Sequence, residues 1–180
     1  MSGKFVAKKI AVLAIFTALS LITFIIENQF PPLILPGARM GLANIFTFAV
    51  LIIYSPWEAL LVVAIRTGLG AIFAGNVSAL MYSFTGGVVS MAISAILLYL
   101  VYPKISLMAI SVTAAVAHNI TQNIVFTILS GTNLTMTYMP YLILLGILSG
   151  AIVGAIEMLI FKKIPQSVFE KAISSNKKSA

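Results

Sequence analysis

Long apolar runs almost free of charged residues constrain this chain more than any other feature. Only 8% of its 180 residues are charged and 61% are hydrophobic. A soluble domain needs roughly a quarter of its residues charged to cover its surface. A helix needs roughly 20 apolar residues to cross a bilayer core, which leaves room for roughly five to seven spans. We therefore predict an all-α integral membrane protein, with a single transmembrane domain over residues 1–180.

Prolines, glycines and short polar stretches divide the apolar runs into six segments. Pro31 and Pro32 remove backbone donors and fix φ, so the first helix must end before them. Ser55, Pro56 and Glu58 form the pattern of a helix start with a capping box. The predicted spans are about 8–27, 40–54, 57–74, 79–102, 106–129 and 138–161, followed by a polar tail over 162–180.

The lysines predict which ends face the cytoplasm. Three precede the first apolar run and five follow the last, which is typical of cytoplasmic flanks of membrane spans. With six spans both termini are cytoplasmic, Lys104 lies in a cytoplasmic turn and Arg39 lies in an outer loop. We therefore expect a multi-pass protein of the bacterial cytoplasmic (plasma) membrane. Because the charges flank the spans, they indicate contact with membrane lipid and no nucleic-acid partner.

Polar residues within the predicted spans are concentrated between the midplane and the outer face. Arg66 lies about 13 Å into the third span, at 1.5 Å per residue, and His118 lies at a similar depth in the fifth. On a helical wheel the fifth span places its polar residues within an arc of about 140°. The inner half holds little besides Glu157. Because polar groups inside a membrane are costly, this asymmetry predicts a cavity that opens outward and is closed below by apolar side chains.

Each buried polar residue has a structural and a functional interpretation. Arg66 either bonds to exposed carbonyls or to Glu27, or it faces a ligand with anionic or acceptor groups. His118 either forms a hydrogen bond across helices or contacts a ligand, and metal binding is disfavoured because the chain has one histidine. We predict no metal and no cofactor. The candidate ligand-binding residues are Arg66, His118, Asn119, Gln122, Asn44, Arg39 and Tyr82.

Small residues recur at a spacing of four in two spans. Gly146, Gly150 and Gly154 do so in the sixth, and Ala14 and Ala18 in the first. This spacing lets two helix backbones approach closely in a membrane. For the glycines we favour packing inside the bundle. For the alanines, an interface with another membrane subunit is an equal alternative.

Several motifs together resemble the bacterial Gx transporter family, which is often labelled heptaprenyl diphosphate synthase component I. The resemblance begins in the loop and second span at residues 36–45 and continues through Arg66 with Gly68 and Gly70. It extends through Gly86-Gly87 with Ser90 and through Ala117-His118-Asn119 with Gln122, covering about residues 8 to 162.

The resemblance implies a six-helix fold similar to the substrate-binding S-components of energy-coupling factor transporters. In such a protein Ala14 and Ala18 would dock a transmembrane coupling subunit driven by ATPases, and the substrate pocket would open outward. The synthase label does not fit an enzyme, because prenyl chain elongation needs aspartate clusters that hold Mg²⁺ and this chain contains no aspartate.

We therefore expect a non-enzymatic, substrate-binding membrane subunit of a small-molecule importer. Its ligand would be vitamin-like, anionic or isoprenoid, and would be captured from the extracellular side. One alternative is a non-catalytic membrane subunit of a quinone- or flavin-linked electron-transfer or prenyl-quinone system. A second alternative is an assembly anchor that binds no ligand.

Overall fold

Apolar helices account for nearly all of the computed structural model, which describes residues 3–29, 41–75, 77–163 and 173–174. Its α-helices are α1 (Gly3–Gln29), α2 (Asn44–Ile53), α3 (Pro56–Ala74), α4 (Val77–Ile96), α5 (Leu107–Ser130) and α6 (Met139–Phe161). A π-helical turn, Leu97–Val101, continues α4, and a 3-10 helix, Asn133–Tyr138, precedes α6. Arg39 and the prolines of the predicted outer loop lie outside the described residues, as does most of the tail.

Five helical segments are long and apolar enough to cross a membrane. They are Val6–Glu27, Pro56–Phe73, Leu80–Val101, Leu107–Ser130 and Asn133–Phe161. The predicted second span corresponds to α2, which has 10 residues and is therefore about 15 Å long. By itself α2 reaches across about half of a hydrocarbon core of about 30 Å. The described residues thus form an all-helical membrane bundle with five candidate spans.

The turn between α2 and α3 begins as predicted but is capped differently. Ser55 is the extended N-cap residue and Pro56 follows at the first helical position, yet the Ser55 side chain accepts no hydrogen bond from the helix backbone. Its hydroxyl instead donates to the carboxylate of Glu58. Lys9 of α1 also donates to this carboxylate, so the start of α3 is held against α1.

An apolar core forms at the end of the bundle that contains this turn. It includes Leu51 of α2, Val63 of α3, Leu98 of the π-helical turn and Ile110 of α5, all 0% exposed. The Tyr99 hydroxyl donates to the Leu51 carbonyl at 2.9 Å. Close packing therefore fixes the rotation of α2 and α4 about their axes, and with it the side chains that face inward.

Glycines determine how closely α6 approaches α5. A Cβ added at Gly150 would lie 2.6 Å from the Val112 Cα, and one added at Gly154 would lie 2.7 Å from the Met108 Cα. Contacts this short with backbone atoms are possible only for glycine, so the two helices are in direct backbone contact. The predicted role of the glycine stripe in packing inside the bundle is confirmed.

Candidate functional site

A cavity lies between α2, α4, α5 and α6, with about 460 Å³ of empty space that includes its open mouth. Its polar lining residues are Asn44, Thr47, Ser90, Ser94, Ser111 and Glu157. Its apolar lining residues include Phe48, Leu51, Met91, Ala114, Ala115 and Val153. Mostly apolar walls with a few polar groups are typical of sites for small organic molecules. We call this space the main cavity.

A smaller pocket of about 230 Å³ adjoins the main cavity. The two share Gly41 and Asn44. The other residues that line the smaller pocket are Phe24, Glu27, Ala43, Arg66, Ser83 and His118. We call it the arginine pocket. Together the two spaces form a polar region that passes from α1 and α3 on one side to α5 and α6 on the other.

Arg66 is 2% exposed and lines the arginine pocket. Its Nη1 donates to the Asn44 Oδ1 at 3.2 Å, and its guanidinium carbon lies 5.9 Å from the centre of the Phe24 ring. A Cβ added at Gly87, which lines the main cavity, would lie 3.5 Å from the Arg66 Nη2. The guanidinium is therefore adjacent to the wall of the main cavity. The Asn44 side chain therefore supplies a buried acceptor for this guanidinium.

Glu27 of α1 lies in the same pocket as Arg66. It lines the arginine pocket together with Arg66, and its carboxylate accepts a hydrogen bond of 2.5 Å from the Leu42 backbone N–H. It thereby connects the end of α1 to the turn before α2. The structural interpretation, in which Glu27 contributes to the electrostatic environment of Arg66, is compatible with this placement.

His118 and Gln122 of α5 pack against Gly86 of α4. A Cβ added at Gly86 would lie 2.7 Å from the Gln122 Cγ and 3.2 Å from the His118 Cε1. Neither amide atom of Gln122 has a hydrogen-bond partner among the described residues, although the side chain is 3% exposed. A buried unsatisfied amide costs about 1–3 kcal/mol, so this position favours a bound water or ligand atom.

Asn119 and Tyr82 have other surroundings. The Asn119 Nδ2 donates to the Leu142 carbonyl at 3.1 Å, which fastens α5 to α6. The Tyr82 ring packs edge-to-face against Phe126 at 5.8 Å between ring centres. Neither residue, nor Gln122, lines the main cavity or the arginine pocket. Of the predicted ligand-binding residues, Arg66, Asn44 and His118 are brought together, and Arg39 lies outside the described residues.

The main cavity contains polar residues that the sequence analysis did not select. Thr47, Ser90 and Ser94 line it, and Glu157 does so at 1% exposure. Hydroxyl and carboxyl groups therefore continue along the cavity beyond Arg66, as far as the apolar core that contains Leu51. The sequence could have indicated that Glu157 is buried. It follows Gly150 by seven residues and Gly154 by three, so it lies on the same helix face as the glycines, which pack against α5.

The described residues place no three histidine, aspartate or glutamate side chains close enough together to hold a metal ion. The described side chains that line the two spaces offer one guanidinium, one imidazole, two carboxyl groups, one amide and several hydroxyls. They can orient a ligand through hydrogen bonds and charge.

A protein-family model described as "Heptaprenyl diphosphate synthase component I" matches residues 16–160. This range includes every residue that lines the main cavity and the arginine pocket. The chain belongs to this family. The predicted family resemblance is thus confirmed over the transmembrane bundle. The synthase name of the family is historical, since this member has no aspartate with which to hold Mg²⁺ on a diphosphate. Among curated proteins, no relative matches the chain.

Proposed function

We propose that this family member is the substrate-binding membrane subunit of a small-molecule importer, and that it captures its ligand from the extracellular side. The observation that supports this most strongly is the polar cavity inside an apolar bundle, with Arg66 buried beside its wall. Polar and charged groups are expensive inside a membrane and usually serve binding or transport. A ligand with an anionic or acceptor group would interact favourably with the guanidinium of Arg66.

The proposed topology has six spans and cytoplasmic termini. The lysines that flank α1 and α6 support it. In this arrangement α2 would complete its crossing with the residues that precede it. The arginine pocket then lies toward the outer face, beneath the loop between α1 and α2, which is the direction from which the ligand would enter.

Transport would require a partner, which we propose is a transmembrane coupling subunit driven by ATPases. Ala14 and Ala18 are exposed on α1, next to Ile15 and Leu19. Small residues on an exposed helix face allow the backbone of a second membrane protein to approach closely. The sequence contains no ATP-binding motif of its own, so the energy for release into the cell would come from the partner.

Native mass spectrometry of freshly extracted protein tests the proposed function. We expect the wild-type chain and a Lys104→Gln control to retain a small molecule, and an Arg66→Gln variant to retain at least tenfold less. Lys104 is an exposed loop residue, so its substitution removes the same charge without affecting the cavity.

The absence of a retained molecule on the wild-type chain, together with wild-type uptake by the Arg66→Gln variant in cells, would refute the proposal. A stoichiometric flavin or quinone absorption in the purified protein would instead support a role in electron transfer. The mass spectra and the absorption spectrum use the same purified protein, so together they separate the two functions.

A further inference from the structure

We propose that Glu157 and the hydroxyl groups around it form a second subsite, which binds a cationic group of the ligand. We call this the carboxylate subsite, consisting of Glu157, Ser111, Ser94, Ser90 and Thr47. The inference rests on the proposed function, since it describes the opposite end of the same cavity. The ligand would then be an organic molecule with an acceptor or anionic group at one end and a positive charge at the other.

The contacts of Glu157 are the first reason. This side chain is 1% exposed, and the Ser111 hydroxyl donates to its Oε2 atom. Among the described residues, no lysine, arginine or histidine lines the main cavity. A carboxyl group removed from water is stabilised either by taking up a proton or by a cation and several donors. A single hydroxyl supplies one donor, so the charged form of Glu157 requires a cation, which a ligand group in the cavity would supply.

Thr47 provides an independent observation. Its Oγ1 is buried without a hydrogen-bond partner among the described residues, and the residue is 4% exposed. It lines the same cavity. Buried hydroxyls in folded proteins nearly always have a partner, which can be a bound molecule. Ser90 and Ser94, one helical turn apart on α4, add two further hydroxyls to this lining.

The distance between the two ends favours one organic ligand. Gly87, which is next to Arg66, and Ser94 are seven residues apart on α4, and His118 and Ser111 are seven apart on α5. Seven residues of helix rise about 10 Å. The Arg66 guanidinium, in the arginine pocket, and the Glu157 carboxylate, in the main cavity, thus lie on different sides of Asn44 and Thr47, and an organic molecule about 10 Å long would reach from one to the other.

The walls between the two ends disfavour a metal ion as the cationic group. Met91, Ala114 and Val153 are apolar and line the cavity. Metal cations such as Ca²⁺ and Mg²⁺ require six or more oxygen ligands within about 2.6 Å. An ammonium or a similar organic cation needs fewer contacts, and its carbon skeleton would pack against the apolar walls.

Carbodiimide labelling of purified protein in detergent tests the carboxylate subsite. Dicyclohexylcarbodiimide is added alone, with benzyltrimethylammonium, or with neopentylbenzene, an uncharged analogue of the same shape. Labelling of each glutamate is read by peptide mass spectrometry. Glu58 serves as an internal reference, because it lies at the start of α3 and does not line the cavity. We expect benzyltrimethylammonium to slow labelling of Glu157 at least threefold and neopentylbenzene to leave it unchanged.

A Glu157→Gln variant provides a second readout, because its amide oxygen can still accept from Ser111. Benzyltrimethylammonium should raise the melting temperature of the wild-type protein and of a Glu58→Gln control, but not that of the Glu157→Gln variant. Equal protection by the charged and uncharged probes, or labelling of Glu58 alone, would overturn the carboxylate subsite. If Arg66→Gln still abolishes retention of the co-purifying molecule in that case, the proposed function stands without this subsite.

Discussion

Adding one methyl group at Gly150 should separate α5 from α6 and destabilise the bundle. The new Cβ would lie 2.6 Å from the Val112 Cα, 2.9 Å from the Ser111 carbonyl oxygen and 3.0 Å from the Ala115 Cβ. Carbon atoms in contact are normally about 3.5–4.0 Å apart, so α6 would have to move by roughly 1 Å. Two of the three clashes involve backbone atoms, which cannot rotate away as a side-chain end can.

The expected size of this effect follows from the cost of overpacking. Forcing extra atoms into a packed interior typically costs about 1–3 kcal/mol. A Gly68→Ala variant is the matched control, because a Cβ at Gly68 has nothing within 4 Å. Alanine is favoured over glycine in a helix interior by up to about 1 kcal/mol. We therefore expect Gly68→Ala to be neutral or stabilising. Because both variants gain the same helix propensity, Gly150→Ala should be less stable than the control by the overpacking cost alone, about 1–3 kcal/mol.

Reversible unfolding in mixed micelles, followed by circular dichroism, measures the free energies of unfolding of both variants. The same preparations report on the cavity, since a shift of α6 would move Glu157 away from Ser111. The packing argument is refuted if Gly150→Ala is as stable as Gly68→Ala. An equal loss of stability in both variants would also contradict it, because replacing any helical glycine would then account for the loss.

Two further substitutions separate structural from binding roles. Asn119→Ala removes a hydrogen bond to the backbone of α6 and should cost about 1–3 kcal/mol in the same unfolding assay, with retention of the small molecule reduced less than in Arg66→Gln. Retention lost as completely as in Arg66→Gln would assign Asn119 to the ligand site. Lys9→Gln removes the ion pair with Glu58, which is partly exposed, so the loss should be at most about 1 kcal/mol. A double-mutant cycle with Glu58→Gln measures the coupling free energy between Lys9 and Glu58. A coupling above about 1 kcal/mol would show that this pair stabilises the contact between α1 and α3 more than its exposure implies.

Much of the bundle follows from the apolar runs and the residues that interrupt them. The starts of α3 and α5 coincide with Ser-Pro and Ser patterns, and Ser106 accepts from the Ala109 N–H at 3.1 Å as an N-cap does. The length of α2 could not be derived in this way. A span of about 15 residues was predicted from composition alone, whereas α2 is described from Asn44 to Ile53.

The candidate site was predicted only in part, because polar positions on one helix can face different neighbours. The polar arc of α5 is wide enough to contact α4 on one side and α6 on the other. His118 and Gln122 face Gly86 of α4, whereas Asn119 donates to the backbone of α6. Helical periodicity places these residues on one broad face. It does not determine where the neighbouring helices divide that face.

Glu157 was not selected as a site residue for a related reason. The sequence placed it in the inner half of the membrane without showing which neighbour it faces, and in the structure it is 1% exposed and accepts from Ser111. Contacts of Gly150 and Gly154 with α5 fix the rotation of α6 about its axis, and this rotation turns Glu157 toward α5. The neighbours of Glu157 therefore depend on how the helices pack and cannot be read from its position along the chain.

The accessibility of Thr47 to water is the most direct test of a ligand cavity inside the bundle. The chain has no cysteine, so a single Thr47→Cys substitution can be labelled without background, with Thr113→Cys on the exposed face of α5 as the lipid-facing control. A charged, membrane-impermeant methanethiosulfonate reacts with thiolates in contact with water. We predict that it labels Thr47→Cys from the extracellular side of intact cells and does not label Thr113→Cys. Failure to label Thr47→Cys from that side, in folded protein whose new thiol reacts after denaturation, would contradict the account.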